Sequence, residues 1–222
     1  MRSPSVQSTE MPMTKDGSAQ LEKLLGIVHE SKDPATNLMN QAGFSVQKCV
    51  SSIQGAGNGV FLSGKCQTGQ IVCLYPGTVY LPFEPLFFPS IANSYILKCF
   101  DGLFIDGKNT GLSARIYRSI YLRENWPGAI QTSDVTWLTE NPRNPLTIGQ
   151  FVNNGTRTLH HSNVRYHEID LPTTFPIELR QYLPNIYWNG LDTLTHYTRV
   201  VALVATKDIK DTELFSTYMD AV

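Results

Sequence analysis

From Phe44 onward, glycines cut the chain into short β-like runs: FSVQKCV, GVFL, QIVCLY, TVYL, YILKCF and LFIDG. Turn residues recur between them, and no regular alternation with long helical patterns develops. Many short strands with frequent turn signals predict a mainly β architecture, rather than βα units wound about a parallel sheet. Near the C-terminus, TRVVALVATKDI has a continuous apolar middle, which predicts a strand buried on both faces.

Helical patterns are few. LEKLLGIVHE places Leu21, Leu24, Leu25 and Val28 at helical spacing, which predicts a short amphipathic helix ended by SKDPATN. ARIYRSIY predicts another helix inside residues 107–147, an irregular stretch punctuated by WPG and NPRNP and read as an insertion beside the core. A second insertion, 172–197, holds PIELRQYL, a short helix between two prolines. Phe83, Phe87 and Phe88, set among prolines, are read as packing an insertion. On this division residues 1–35 form a disordered leader with the first helix, and 36–222 form one domain carrying insertions at about 107–147 and 172–197.

The composition excludes several classes. Of 222 residues, 41% are hydrophobic, enough for an ordinary core. Charged residues are 17% and the formal net charge is −1, without the basic excess of a general nucleic-acid binder. No run approaches the roughly 20 apolar residues that a membrane span requires. MRSPSVQSTEMPMTKDGSAQ has no apolar core, so the expected location is intracellular, nuclear or cytoplasmic, and not secreted. The four cysteines, Cys49, Cys66, Cys73 and Cys99, lack CxxC spacing and read as thiols in a reducing compartment. His160, His161 and His167 lie close in sequence but have no cysteine or obvious carboxylate partner, and no metal site is expected. Oligomeric state is not encoded in any of these features.

Three stretches hold candidate chemistry. In QGAGNGVF, Gly55, Gly57 and Gly59 allow a sharp turn and close approach of a ligand, but the spacing is not GxGxxG and no helical pattern comes after it. Read alone, it is a β-turn. In QFVNNG, Asn153 and Asn154 stand behind an apolar pair; alone they read as a capped turn whose amides bond backbone groups. The C-terminal TELFSTY sets an acid and leucine ahead of Tyr218.

Taken together and in this order, the stretches resemble the SET-domain family of protein methyltransferases. Gly57-Asn58-Gly59-Val60-Phe61 is similar to the family's opening strand and G-x-G turn. Tyr75 and Gly77 of CLYPGTVY match its tyrosine-x-glycine strand, and DGLFIDG resembles the segment ending in an aspartate, here Asp106. QFVNNG with the later Asn163 resembles its R-F-I-N-H-S-C and P-N elements, and Glu213-Leu214 with Tyr218 matches the last motif.

The resemblance implies a SET-like β-clip of several short curved sheets with a C-terminal pseudoknot. It implies S-adenosylmethionine as cofactor, held by Gly57, Asn58, Gly59, Asn153 and Asn154. It also implies a protein or peptide substrate whose lysine reaches Tyr218 through a channel walled in part by Tyr75. The departures are specific. Asn154 replaces the family's histidine, Gly155 and Thr156 replace its serine and cysteine, Gln150 replaces its arginine, and the cysteine-rich flanks are missing. Two function classes fit this pattern: a lysine methyltransferase, or a catalytically weak SET-like module that binds cofactor or a partner as an adaptor.

Overall fold

The computed structural model describes residues 17–155, 161–189 and 197–217. Its first element is α1 (Gly17–His29), which buries Leu21, Leu24, Leu25, Ile27 and Val28. SKDPATN ends that helix and also starts another, α2 (Pro34–Ala42), which the apolar periodicity does not announce. Asp33 accepts a hydrogen bond from the Thr36 amide at 3.3 Å, Pro34 sits in the first turn, and Gly43 closes the helix in the left-handed region. These are ordinary start and stop chemistries compressed around one short helix.

Strands dominate the rest of the chain. β1 (Phe44–Val50) and β2 (Asn58–Cys66) form an antiparallel hairpin, succeeded by β3 (Ile71–Tyr75) and β4 (Gly77–Tyr80). A one-turn helix α3 (Phe87–Ser90) precedes β5 (Ile96–Lys98) and β6 (Phe104–Asp106), and then comes α4 (Gly111–Glu124). The two-residue β7 (Asn153–Asn154) leads to β8 (Val164–Pro172), α5 (Ile177–Arg180), β9 (Asn185–Tyr187), β10 (Tyr197–Ala205) and β11 (Ile209–Ser216).

Three small sheets result, with strand orders β1-β2-β11-β7, β3-β10-β8 and β5-β6-β4-β9. The expected mainly β class holds. β10 is the central strand of its sheet, and Val200 through Ala205 are buried, as its unbroken apolar run predicts. Register shifts at Leu203/Val204 and at Lys210/Thr212 break the ladders of β10 and β11. Such irregularities bend strands, so the sheets curl around one main core. At Gly77, φ is +145° and an added Cβ would lie 2.2 Å from the Asp106 carbonyl oxygen, so only glycine lets β4 approach β6 there.

β11 is the fold's junction. It runs antiparallel to β2 and parallel to β7, with Phe215 opposite Asn153 and Ser216 opposite Asn154. The Gly155 amide donates to the Ser216 carbonyl and the Asn163 amide to the Phe215 carbonyl, both at 2.8 Å. The segment leaving β7 and the one entering β8 therefore both grip the end of β11.

A smaller second core forms where α4 lays Ala114, Tyr117 and Ile120 against Trp137, Leu138 and Ile186. The Tyr117 hydroxyl donates to the Asp134 carbonyl at 2.7 Å, which ties the helix to the loop after it. Phe83, Phe87 and Phe88, expected from their proline-rich setting to pack an insertion, do not: they are 81%, 71% and 71% exposed. α3 is a single turn whose buried residue is Pro89, and it points both of its phenylalanines outward.

Candidate functional site

The β1–β2 turn and the β7 strand meet over β11. Val50 pairs with Asn58 and Cys49 with Gly59, so the glycine turn stands at the open end of the hairpin. Its foot is clamped by Glu213 on β11, which is buried. That carboxylate accepts from Ser51 Oγ at 2.6 Å, the Ser52 amide at 2.8 Å and Ser52 Oγ at 2.5 Å. Burial would raise the Glu213 pKa, but hydrogen bonds from Ser51, Ser52 and Asn153 outweigh it and hold the carboxyl below its ordinary range. Gly59 lies against the same carboxylate: an added Cβ would fall 2.1 Å from Glu213 Oε1 and 3.3 Å from Asn153 Nδ2.

The asparagines divide their work. Asn153 Nδ2 donates to the Asn58 carbonyl at 3.0 Å, joining β7 to the glycine turn. Asn163 is a buried joint. Its Nδ2 donates to the Glu213 carbonyl and its Oδ1 accepts from the Phe215 amide, each at 2.8 Å. Asn154 is exposed at the cleft edge.

Between these pieces opens a cleft of about 510 Å³, lined by Ala56, Gly57, Asn58, Ser94, Tyr95 and residues 150–154. Its far wall is fixed by a relay. Asp106 accepts from Asn93 Nδ2 at 2.8 Å, Asn93 Oδ1 accepts from the Tyr95 amide at 3.0 Å, and the Tyr95 ring meets Phe151 edge-on. Burial pushes the Asp106 carboxyl upward, against hydrogen bonds from Ser113, Asn93 and Lys108. Tyr75 lies behind this wall rather than on it. It is fully buried, donates its hydroxyl to the Tyr95 carbonyl at 2.9 Å, and faces the Tyr166 ring.

The comparisons with known proteins bear on this geometry. The chain is 45% identical over 205 residues to SET domain-containing protein 9 of Homo sapiens, covering 90% of this chain and 67% of that one. It is equally identical to SET domain-containing protein 9 of Pongo abelii, covering 74% of that chain. The chain belongs to the SET-domain family. No family model matches it.

Solved structures add a looser likeness. One is a ctPRC2 in an autoinhibited conformation bound to S-adenosylmethionine, at TM-score 0.42 and 16% identity, covering 83% of this chain and 16% of that one. Another is KRYPTONITE with mCHH DNA, an H3(1-15) peptide and SAH, at TM-score 0.41 and 15% identity, covering 81% and 24%.

Within the SET domain, Gly57, Asn58, Asn153 and Asn154 line one cleft, while Gly59 sits beneath its rim and Tyr75 behind its wall. Tyr218 lies outside the described residues, as does His160. The sequence patterns do not single out Tyr95, Gln150 or Glu213 as members of the site. Glu213 has a signal in its motif, but Tyr95 carries none that separates it from the chain's other tyrosines.

Outside the cleft, Cys99, Asp101 and Glu168 are the one group among the described residues with metal-ligand spacing. Arg199 fills its centre, paired with Asp101 at 2.9 Å, with Glu168, and with Asp170 at 2.6 Å. The cluster's carboxylates are thus paired with a guanidinium rather than arranged around an open position. All four cysteines are free, and burial pushes the Cys66 and Cys99 thiols up to about 12. No described helix is long and apolar enough to cross a membrane.

Proposed function

We propose that this SET-domain chain is an S-adenosylmethionine-dependent protein-lysine N-methyltransferase, acting on a protein or peptide. The observation that carries the reading is the meeting of the glycine turn and the asparagine strand at one cleft, joined by the Asn153–Asn58 bond and clamped by Glu213. At about 510 Å³ the cleft falls within the roughly 300–1,000 Å³ typical of small-molecule sites. The cofactor, when bound, supplies an activated methyl group on sulfur.

The chain's own residues would do the rest. The Gly57 turn brings backbone to the cleft edge without a side chain in the way, and Asn154 offers a donor and an acceptor at no net charge. Asn153, tied to Asn58, holds the two walls at a fixed separation. A substrate lysine must arrive neutral; with a pKa of about 10.4, deprotonation near pH 7.4 costs roughly 4 kcal/mol. Desolvation against the Tyr95 and Phe151 wall lowers that cost by disfavouring the charged amine. In this reading Tyr218 orients the amine at the transfer point.

The adaptor reading is supported by a different observation: Phe83, Phe87, Phe88 and Phe100 expose large apolar faces, and Asn154 replaces the family's histidine. A titration and then a transfer assay separate the two. The purified chain should gain thermal stability with S-adenosylmethionine and with its demethylated product; no shift at millimolar ligand sinks the methyltransferase and the cofactor-binding adaptor, and leaves the partner-binding adaptor. Label from the cofactor methyl should then reach a lysine peptide array and be lost in Tyr218→Phe. A signal unchanged in that variant refutes the role given to Tyr218.

A further inference from the structure

The helix of the 107–147 insertion, α4, has two faces of different character. Ser113, Ala114, Tyr117 and Ile120 are buried, and the last three pack the second core. Leu112, Arg115, Arg118, Leu122 and Arg123 share the opposite face and are exposed. Residues three and four positions apart lie side by side on a helix, so Arg115, Arg118 and Leu122 form one stripe. Beyond the helix end, Trp126, Ala129 and Ile130 line an open hollow of about 510 Å³ together with Arg123.

Hydrogen bonds around the buried Asn125 hold this exposure in place. Its Oδ1 accepts from the Thr132 amide at 2.8 Å, and its Nδ2 donates to Ser133 Oγ at 3.2 Å. Inside the loop so closed, the Ala129 amide donates to the Trp126 carbonyl at 2.9 Å. Leu122, Trp126 and Ile130 nevertheless remain 68%, 61% and 62% exposed. A fixed loop that keeps its large apolar side chains in water is already shaped for an incoming surface.

The charges are equally one-sided. Arg115, Arg118 and Arg123 have no ion pair among the described residues. The single acid of α4, Glu124, is only partly exposed. The whole chain carries 18 basic and 19 acidic residues, so the arginine stripe is a local excess and not part of a general basic field.

Apolar patches rimmed by polar groups mark interaction surfaces, and tryptophan and arginine carry much of the binding energy where proteins meet. We propose that α4 and the 126–130 loop form a docking surface for an acidic protein segment that carries a large apolar side chain. Charge complementarity selects this occupant. Guanidinium groups take carboxylates through paired hydrogen bonds, and the hollow takes the apolar anchor. A nucleic acid would call for the extended basic field that this chain lacks. The surface shares no residue with the cofactor cleft, so the proposal stands with either reading of the function.

The test selects a displayed library of random peptides on the full-length chain. Recovered peptides are then measured against wild type, R115E/R118E and Trp126→Ala, with the melting temperature of each variant as a control. The expected peptides are rich in Asp and Glu around Leu, Phe or Trp, and bind each variant at least about tenfold more weakly. Replacing their acids with lysine should restore binding to R115E/R118E, which a merely structural effect of the substitutions would not do. If Trp126→Ala melts below wild type, Ile130→Ser supplies the same measurement at the other side of the hollow. Three results overturn the proposal: no enriched peptide, enriched peptides without acidic residues, or affinities unchanged in the variants. Single-stranded RNA and phosphatidylserine vesicles are run beside the peptides. Binding of either one that is lost in R115E/R118E, with no acidic peptide recovered, assigns the surface to that class and overturns the acidic segment. None of these outcomes depends on whether the chain binds S-adenosylmethionine.

Discussion

Two amide side chains, thirteen residues apart and both buried, have opposite fates in this molecule. Asn163, 5% exposed, has its donor and acceptor paired to the backbone of β11 at 2.8 Å each. Gln150, 4% exposed, has neither paired among the described residues. Burial is the same, so burial alone does not show whether an amide is satisfied. Asn163 holds the end of β11 where the C-terminal strand is gripped, and Gln150 lies where the cleft opens. Ser216 Oγ, fully buried opposite Asn154 on the same junction, is likewise unpaired among the described residues.

The largest test of that contrast is Asn163→Ala. It strands the Phe215 amide and the Glu213 carbonyl in the interior, and the expected loss is about 3 kcal/mol of unfolding free energy. Urea denaturation measures it. A loss below about 0.5 kcal/mol would show that the joint is not structural. Gln150→Met, which keeps the side chain's length and removes two buried, unpaired groups, is by contrast expected to be neutral or stabilising in the same urea experiment.

A middle-sized effect is expected from Gly59→Ala. The new methyl would meet Glu213 Oε1 and Asn153 Nδ2, forcing the hairpin off β11 at a cost of about 2 kcal/mol, with weakened cofactor binding alongside. Full retention of both properties would show that the hairpin and β11 can part without consequence.

The smallest effect concerns acid. Glu213 titrates below its unfolded value of 4.5, so its contribution is fully present above that value and is lost as pH falls through the folded one. Stability measured between about pH 6 and pH 3 should therefore fall less steeply in Glu213→Gln than in wild type. Identical slopes would mean that the serine clamp does not depend on the charge.

How legible was this in the sequence? The strand-rich class was legible because alternating and continuous apolar runs report burial directly, and β10 is the clearest instance. Asn153 and the glycine turn were legible as a pair because their order along the chain matches a family pattern. Their actual bond, Asn153 Nδ2 to the Asn58 carbonyl, spans 95 positions and leaves no local trace. α2 was hidden because one short segment serves as both terminator and cap. The exposed phenylalanines were misread because composition cannot tell which way a one-turn helix faces.

By itself, then, the sequence determined the class of fold, the buried central strand, and the family to which the chain belongs. Those rest on patterns that neighbouring residues share. Only the tertiary structure decided that Tyr95 walls the cleft while Tyr75 stands behind it, that Glu213 clamps the glycine turn, and that Asn163 is satisfied where Gln150 is not. Hydrogen-bond satisfaction is a property of what long-range folding brings within about 3 Å, and no local spacing encodes it.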